Sequence, residues 1–174
     1  THLIVQGCRR IVHLGGNMLR NVYSERFRGY RQALADNKIE FDPGFLIVSD
    51  MTSQAGKETA QKILKMKPRP DGLFSSNDTT AVAAIVELAK AGVKIPDDIA
   101  IAGFNNEPVS QVVQPNLTTV DYPALEIGEM AATSLINKLK DSLKADLSSI
   151  VLKHNLIVRE SSLRNNSNQS RKTH

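Results

Sequence analysis

Short apolar runs alternate along this chain with longer stretches in which apolar residues return every third or fourth position. The first rhythm marks strands and the second marks amphipathic helices. Ile11-Val12-His13-Leu14 reads as a strand that stops at Gly15-Gly16. A helix is predicted over about 24–37, with Phe27, Tyr30 and Leu34 on one side, and Phe45-Leu46-Ile47-Val48 forms the second strand. The spacing of Ala60, Ile63, Leu64 and Lys67 predicts a helix from about Gln54 to Met66. Pro68 and Pro70 end it, because proline lacks an N–H and pushes the residue before it out of helix. Gly72-Leu73-Phe74-Ser75 is the third strand. Asp78 is placed to cap the next helix, which carries Ala81, Val82, Ile85, Val86, Leu88 and Ala89 and stops at Gly92. Ile99-Ala100-Ile101-Ala102 is the fourth strand, expected to break at Gly103.

This βαβαβαβ order predicts an α/β fold, a parallel sheet with helices on both faces. The rest of the chain follows a different plan. Val109 to Pro115 has no clear period, and Leu117-Thr118-Thr119-Val120 is a short extended piece. Asp121 is expected to cap a long helix from Pro123 to about Lys140, with Leu125, Met130, Ala131, Leu135 and Leu139 facing inward. Ile150-Val151-Leu152 and Asn155-Leu156-Ile157-Val158 read as extended.

Composition narrows the picture. With 174 residues, 41% of them apolar, the chain can bury one sizeable core. No apolar run approaches the roughly 20 residues of a spanning helix, so no membrane contact is expected. The opening Thr1-His2-Leu3-Ile4-Val5-Gln6-Gly7 lacks the basic-then-apolar plan of a secretory signal, and a lone Cys8 fits a reducing compartment. A cytoplasmic setting follows. Of the net charge of +4, residues 164–174 supply +3 through Arg164, Arg171 and Lys172, which leaves 1–163 nearly neutral. That reads as a polar, basic tail, expected to be disordered, on a neutral body, not as the clustered footprint of a DNA-reading surface. Trp is absent and aromatics are 5%, which argues against a stacking platform for single strands.

In a parallel sheet, ligands sit beyond the carboxyl ends of the strands, where loops meet helix N-termini. The rule selects Gly15-Gly16-Asn17, Ser49-Asp50-Met51, Ser75-Ser76-Asn77-Asp78 and Gly103-Phe104-Asn105-Asn106. Asparagine is in three of the four. A neutral amide that both donates and accepts suits a hydroxyl-rich guest, although Asn, Asp and Ser favour turns anywhere. Arg26 faces the same rim and can fork across hydroxyls or a carboxylate. Catalytic signatures are missing. There is no Gly-x-Gly-x-x-Gly after a strand, no Walker-type loop and no nucleophile elbow. His2, His13, His154 and His174 are scattered, and no His or Cys pair has metal-ligand spacing. Asp50, Asp78 and Glu107 lie near the rim, but nothing pairs two of them as acid and base. Binding is expected rather than catalysis, with no catalytic residue, cofactor or metal. His13, inside a strand, reads as packed.

Six blocks of residues carry a family resemblance. They are His2-Leu3-Ile4-x-x-Gly7-Cys8-Arg9-Arg10-Ile11-Val12-x-Leu14-Gly15-Gly16 with Arg26-Phe27-x-Gly29-Tyr30-x-x-Ala33-Leu34, Pro70-Asp71-Gly72-Leu73-Phe74-x-x-Asn77-Asp78, Gly92-x-x-Ile95-Pro96-Asp97-Asp98-Ile99-Ala100-Ile101-Ala102-Gly103-Phe104, Pro115-x-Leu117-Thr118-Thr119-Val120, and Val158-Arg159-Glu160-Ser161-Ser162. In that order, over about 1–163, the chain resembles the sensor domain of LacI/GalR-type bacterial transcription regulators. The resemblance implies a periplasmic-binding-protein-like type I sensor of two lobes that takes a small effector, a sugar or nucleobase, in the cleft between them. It implies that residues 3–112 and 150–160 form the second lobe and that 116–145 is an orphan strand and helix of the first lobe. A DNA-binding headpiece would precede Thr1, so this chain would reach operator DNA only through a part it does not contain.

By position, the resemblance makes Arg26 and Asn77 ligand-binding residues, with Asp78 mainly capping its helix. Asn105 stands where many relatives have an aspartate, and Met51 where an aromatic often lies against the ligand. Asn17 completes the expected ligand set. A homodimer is implied through the helix after the Asn-Asp block and the connection after the fourth strand, with Val82, Ile85 and Val113 as interface candidates. The function expected is effector sensing and dimerisation in an allosteric regulator. Two other readings stay open. One is the solute-binding protein of a sugar importer, and the other an α/β enzyme acting on a sugar or nucleotide with Asp50 or Asp78 as base.

Overall fold

In the computed structural model, residues 1–140 and 151–164 are described. The elements are α1 (His2–Val5), β1 (Ile11–Gly15), α2 (Asn21–Asp36), β2 (Leu46–Val48), α3 (Ser53–Lys65), β3 (Gly72–Ser75), α4 (Asp78–Lys90), β4 (Ala100–Asn105), β5 (Thr118–Asp121), α5 (Ala124–Lys140) and β6 (Asn155–Ile157). One six-stranded sheet runs in the order β2-β1-β3-β4-β5-β6, parallel except for β6, which pairs antiparallel with β5. The predicted α/β class is the observed one.

Each strand sends alternate side chains to opposite faces. Val12, Leu14, Leu73 and Ile101 pack with Ala60 and Ile63 of α3 and Ala81, Ala84, Ile85 and Leu88 of α4. Ile11, Ala100 and Ala102 pack on the other side with Leu3 and Ile4 of α1 and Tyr30 and Leu34 of α2. Two cores result, one per face. Local signals set the helix ends: Thr52 caps α3 by accepting from the Ala55 N–H, and Gly92, at φ +77°, supplies the left-handed residue after α4. Gly56 lets α3 lie close to α4. A Cβ there would press on the Thr80 carbonyl oxygen and stand 2.8 Å from the Ala83 methyl. Gly56→Ala is therefore expected to destabilise by about 1–3 kcal/mol, the usual cost of overpacking, read as a lower urea midpoint at unchanged slope. An unchanged midpoint would mean that α3 and α4 separate freely.

Several expectations are corrected. Gly103 does not break β4, which continues to Asn105. It is a point of close approach, since a Cβ would run into the Asp78 carboxylate and stand 2.9 Å from Leu117. The strand expected to be an orphan is not one. β5 pairs with β4 from Ala102↔Thr118 to Asn105↔Asp121, and Leu117 is fully buried, so this strand belongs to the same sheet as the residues before it. Asp121 ends β5 instead of capping α5, and accepts from the Asn106 amide at 3.1 Å. The apolar stripe of α5 does not face inward: Leu125 is 78% and Leu139 74% exposed. Of the expected strand at 150–152, residues 151 and 152 are not in a strand, and residue 150 lies outside the described residues. Arg164 is no part of a loose tail, because it bonds the carbonyls of Pro96 and Asp71. The remaining tail, 165–174, lies outside the described residues, as does 141–150. No helix among the described residues is long and apolar enough to cross a membrane.

Candidate functional site

The parallel strands bring the four selected loops to one rim, at their carboxyl ends. Arg26, in the second turn of α2, reaches across to two of them. One guanidinium nitrogen donates to the Ser76 carbonyl, and another to Asn105 Oδ1 at 3.4 Å. The guanidinium carbon lies 3.7 Å above the centre of the Phe104 ring, in cation–π contact. Burial lowers the Arg26 pKa, opposed by Tyr23, Tyr122 and Asp78, and the group stays cationic. Period-2 alternation explains the meeting. His13, Phe74 and Ala102 share a register and one face, and Ser76 and Phe104, two residues on, fall on the same side as α2.

Asn105 and Asn106 have φ of 112° and 54°, and Met51 φ of 62°. Among the described residues three of the four non-glycine residues with positive φ thus lie on this rim, the kind of strain that concentrates where a fold serves a ligand. A hydrogen-bond web holds the turn. Asn105 Nδ2 donates to Glu107 Oε1 at 3.1 Å and Thr79 Oγ1 donates to Glu107 Oε2 at 2.7 Å. Asn106 Oδ1 accepts from Arg159, which also bonds the Leu117 carbonyl and Ser110. Asp78 accepts from the Glu107 N–H at 2.8 Å and from Thr119 Oγ1 at 2.7 Å. Burial raises its pKa and these donors lower it, with burial the larger cause.

Arg26 and Asn105 come together at the rim, and Asn77 joins them through its neighbour Ser76. Asn77, not Asp78, caps α4: its Oδ1 accepts from the Thr80 N–H at 2.9 Å, while Nδ2 donates to the Met51 carbonyl at 3.1 Å. The correction has a physical reason. The Asp78 carboxylate is drawn to Thr119 and Glu107, leaving the cap to the residue before it. Asn17 is exposed and turns back to accept from the Leu19 N–H, so it touches none of the others. Met51 does not offer its thioether to the rim. It is 6% exposed on an open rim and packs in the α3/α4 core, because its left-handed backbone turns the side chain inward.

Ile85, fully buried, and Val113, 8% exposed, also belong to that core, so their side chains serve the packing of this chain. Val82 is only partly buried against the core. The sequence placed Phe104, Asn106 and Glu107 at the rim without assigning them roles, and it gave Arg159 no place at the site. Only Phe104 carried a signal of its role, its place in the strand alternation. Arg26 and Phe104 also line a groove of about 700 Å³ with Tyr30, Phe74, Tyr122 and His154. Its walls are mostly apolar and include neither Asn77 nor Asn105, so Arg26 stands between this groove and the polar loops of the rim. Beneath the rim His13 is fully buried among Phe27, Tyr30 and Phe74, at ring separations of 5.7, 5.1 and 5.0 Å. Among the described residues no cluster of His, Cys, Asp and Glu could hold a metal.

The sequence matches the periplasmic binding protein-like domain over residues 1–162. The NTD biosynthesis operon regulator NtdR of Bacillus subtilis is 31% identical over 160 residues, 92% of this chain and 49% of its own length. The ribose operon repressor of Haemophilus influenzae is 30% identical, with 91% and 48% covered. The solved transcriptional regulator CelR–cellobiose complex matches with a TM-score of 0.86 at 30% identity, over 91% of this chain and 48% of that one. The transcription regulator CcpA of Lactococcus lactis matches with a TM-score of 0.85 at 30% identity, over 93% and 59%. The chain spans about half the length of the curated relatives it matches.

Proposed function

This chain belongs to the periplasmic-binding-protein-like sensor domains of LacI-family transcription regulators, and on that premise we propose that its rim holds a sugar-like effector by way of Arg26. It is the ligand-binding portion of such a regulator, not an enzyme. One observation carries the reading: a half-buried guanidinium is fixed over Phe104 and tied to Ser76 and Asn105, with donors still unused. A group held this way loses little freedom on gripping a guest, which is the advantage of preorganisation. Asn105 and Arg26 are the principal contacts. Asn77 adds the amide hydrogen that its cap and loop bonds leave over, and Asn17 lies at the entrance. Met51 contributes its backbone only.

The wider setting belongs to the same proposal. The effector closes a cleft between this lobe and a second one, two copies rotate, and a headpiece changes its fit to operator DNA. Such coupling is commonly about 1–3 kcal/mol. The copies pair with Val82 of α4 near the contact. A cytoplasmic setting fits the regulator role. The CelR structure is named as a cellobiose complex and a second relative as a ribose operon repressor, which fits a sugar-like effector.

The test is a chemical-shift titration of the 174-residue chain, sensitive to weak binding, with D-ribose, cellobiose and acidic sugars. Shifts should gather on the Arg26 side chain and the Asn105 amide. Arg26→Ala should weaken the best binder by about 1.5–3 kcal/mol, the worth of hydrogen bonds to a charged group. Sugars that leave the rim signals unmoved, or bind Arg26→Ala equally well, would remove this function.

A further inference from the structure

The charges around Arg26 say what kind of sugar would fit. The guanidinium has five N–H donors. Among the described residues one goes to the Ser76 carbonyl and one to the Asn105 amide oxygen, at 3.4 Å. Three have no partner among the described residues. Every group that touches this cation is uncharged: a carbonyl, an amide and the Phe104 ring. The ion pairs among the described residues are Arg10–Asp71, Arg28–Glu25 and Lys90–Glu87, and Arg26 is in none of them.

Carboxylates do stand nearby, but each is turned elsewhere by its own donors. Asp78 is fully buried, with one oxygen on Thr119 and the other on the Glu107 N–H. Glu107 is held by Asn105 Nδ2 and Thr79 Oγ1. Asp121 accepts from the Asn106 amide, whose own oxygen is taken by Arg159. α2 begins with no acidic residue in its first turn and with Arg20 just before it, and Glu25, which lines the groove beside Arg26, is paired with Arg28.

While the rim is open, water screens this charge. A guest that displaces the water removes the screening, and a cation left without a counter-charge in a drier site is strongly unfavourable. Hydroxyl groups supply dipoles, not a charge. A phosphate or carboxylate supplies the missing negative charge, and its planar or tetrahedral oxygens match the two parallel N–H bonds that a guanidinium fork presents. We propose that the effector is a sugar carrying an anionic group, a phosphate or a carboxylate, which docks on the three free N–H groups of Arg26. Neutral sugars bind the same rim weakly. This inference rests on the rim being a sugar site.

The experiment splits the titration by charge at fixed ionic strength. D-ribose is compared with D-ribose 5-phosphate, D-glucose with D-glucuronate, and inorganic phosphate alone separates the anion from the sugar that carries it. At least one acidic sugar should bind tenfold or more tighter than its neutral counterpart and tighter than inorganic phosphate, and should move the Arg26 Nε–H signal. Arg26→Gln, which keeps hydrogen bonding but removes the charge, should bring the acidic-to-neutral ratio close to one. The double variant N105D/E107Q places a carboxylate beside Arg26 without setting it against another, and should cut acidic-sugar affinity at least tenfold. Aspartate tolerates the left-handed backbone at 105 as asparagine does. Neutral sugars that bind as well as their acidic partners in both pairs, or a ratio unmoved in both variants, overturn the anionic guest and leave the sugar site standing. Phosphate binding as tightly as ribose 5-phosphate overturns it too, since the sugar would then add nothing. Rim signals unmoved by any sugar overturn the sugar site and this inference together.

Discussion

Replacing Ile85 with alanine is expected to destabilise the fold by about 2–5 kcal/mol, among the largest effects of any single substitution here. Ile85 is fully buried, and its side chain lies in the core that joins β1, β3 and β4 to α3 and α4. Removing its outer carbons forfeits their transfer energy and leaves a space that neighbours such as Leu88 and Ile101 fill only partly. The same substitution at Val112, 76% exposed, should stay within about 0.5 kcal/mol, as surface changes usually do. Urea denaturation at several protein concentrations distinguishes a core role from an interface role. A core loss is the same at every concentration. A loss that grows on dilution, with the stability of the isolated monomer unchanged, would return Ile85 to a dimer contact and overturn its placement.

Ile85 also shows what the sequence could reveal. Its helical spacing with Ala81 and Leu88 marked a buried stripe, and the stripe is there. Periodicity cannot say whether a stripe meets its own sheet or a second molecule. The same limit applies to α5, where Leu125, Leu135 and Leu139 formed a stripe but no partner could be read, and all three are exposed. Strand pairing was legible where loops are short and period-2 runs are apolar, as in β1, β3 and β4. It failed at β5, which the family resemblance assigned to another lobe, and Thr118 and Thr119 carry no local sign of lying in this core. They are buried because distant groups satisfy them: Ser161 and Ser162 bond Thr118, and Asp78 accepts from Thr119. Those partners are 41 to 44 residues away, beyond any local rule.

The rim was legible for a general reason, since parallel strands deliver their loops to one edge whatever the loops contain. The role of each side chain on it was not. Asn77 and Asp78 are both good caps, and the choice between them was made by Thr119 and the Glu107 N–H, which take up the Asp78 carboxylate. Gly103 looked like punctuation, and it is a glycine because that carboxylate lies against it. The Asp78 site is therefore one physical cause behind three separate corrections: the cap, the unbroken β4 and the burial of β5 beside it.

Acid should unfold this chain largely through His13, and the effect should vanish when the imidazole is removed. His13 is fully buried among three aromatic rings, and neither ring nitrogen has a hydrogen-bond partner. Burial, the largest cause, lowers its pKa from 6.5 to about 4, opposed by the Phe74 backbone and aided by the Arg26 charge. The unfolded chain takes up the proton as pH falls through 6.5, while the folded chain refuses it until about 4. Between those values the unfolded state binds more protons, so stability declines with falling pH. Above 6.5 the penalty is absent, and below about 4 it stops growing. The span corresponds to about 3 kcal/mol at 1.36 kcal/mol per pKa unit. Asp78 works in the opposite sense. Its folded pKa is raised, so a falling pH favours the folded state through its own window. The comparison that isolates His13 is wild type against His13→Leu, which keeps an apolar group of similar size and leaves Asp78 in place. The two urea midpoints should diverge from pH 6.5 downward, with Leu ahead by an additional 2–3 kcal/mol or so near pH 4.5. At pH 7.5 the variant should be no less stable, because it also removes two buried nitrogens without partners. Parallel pH profiles for the two proteins would mean that His13 finds a proton partner in the fold, and would remove it as the source of acid sensitivity.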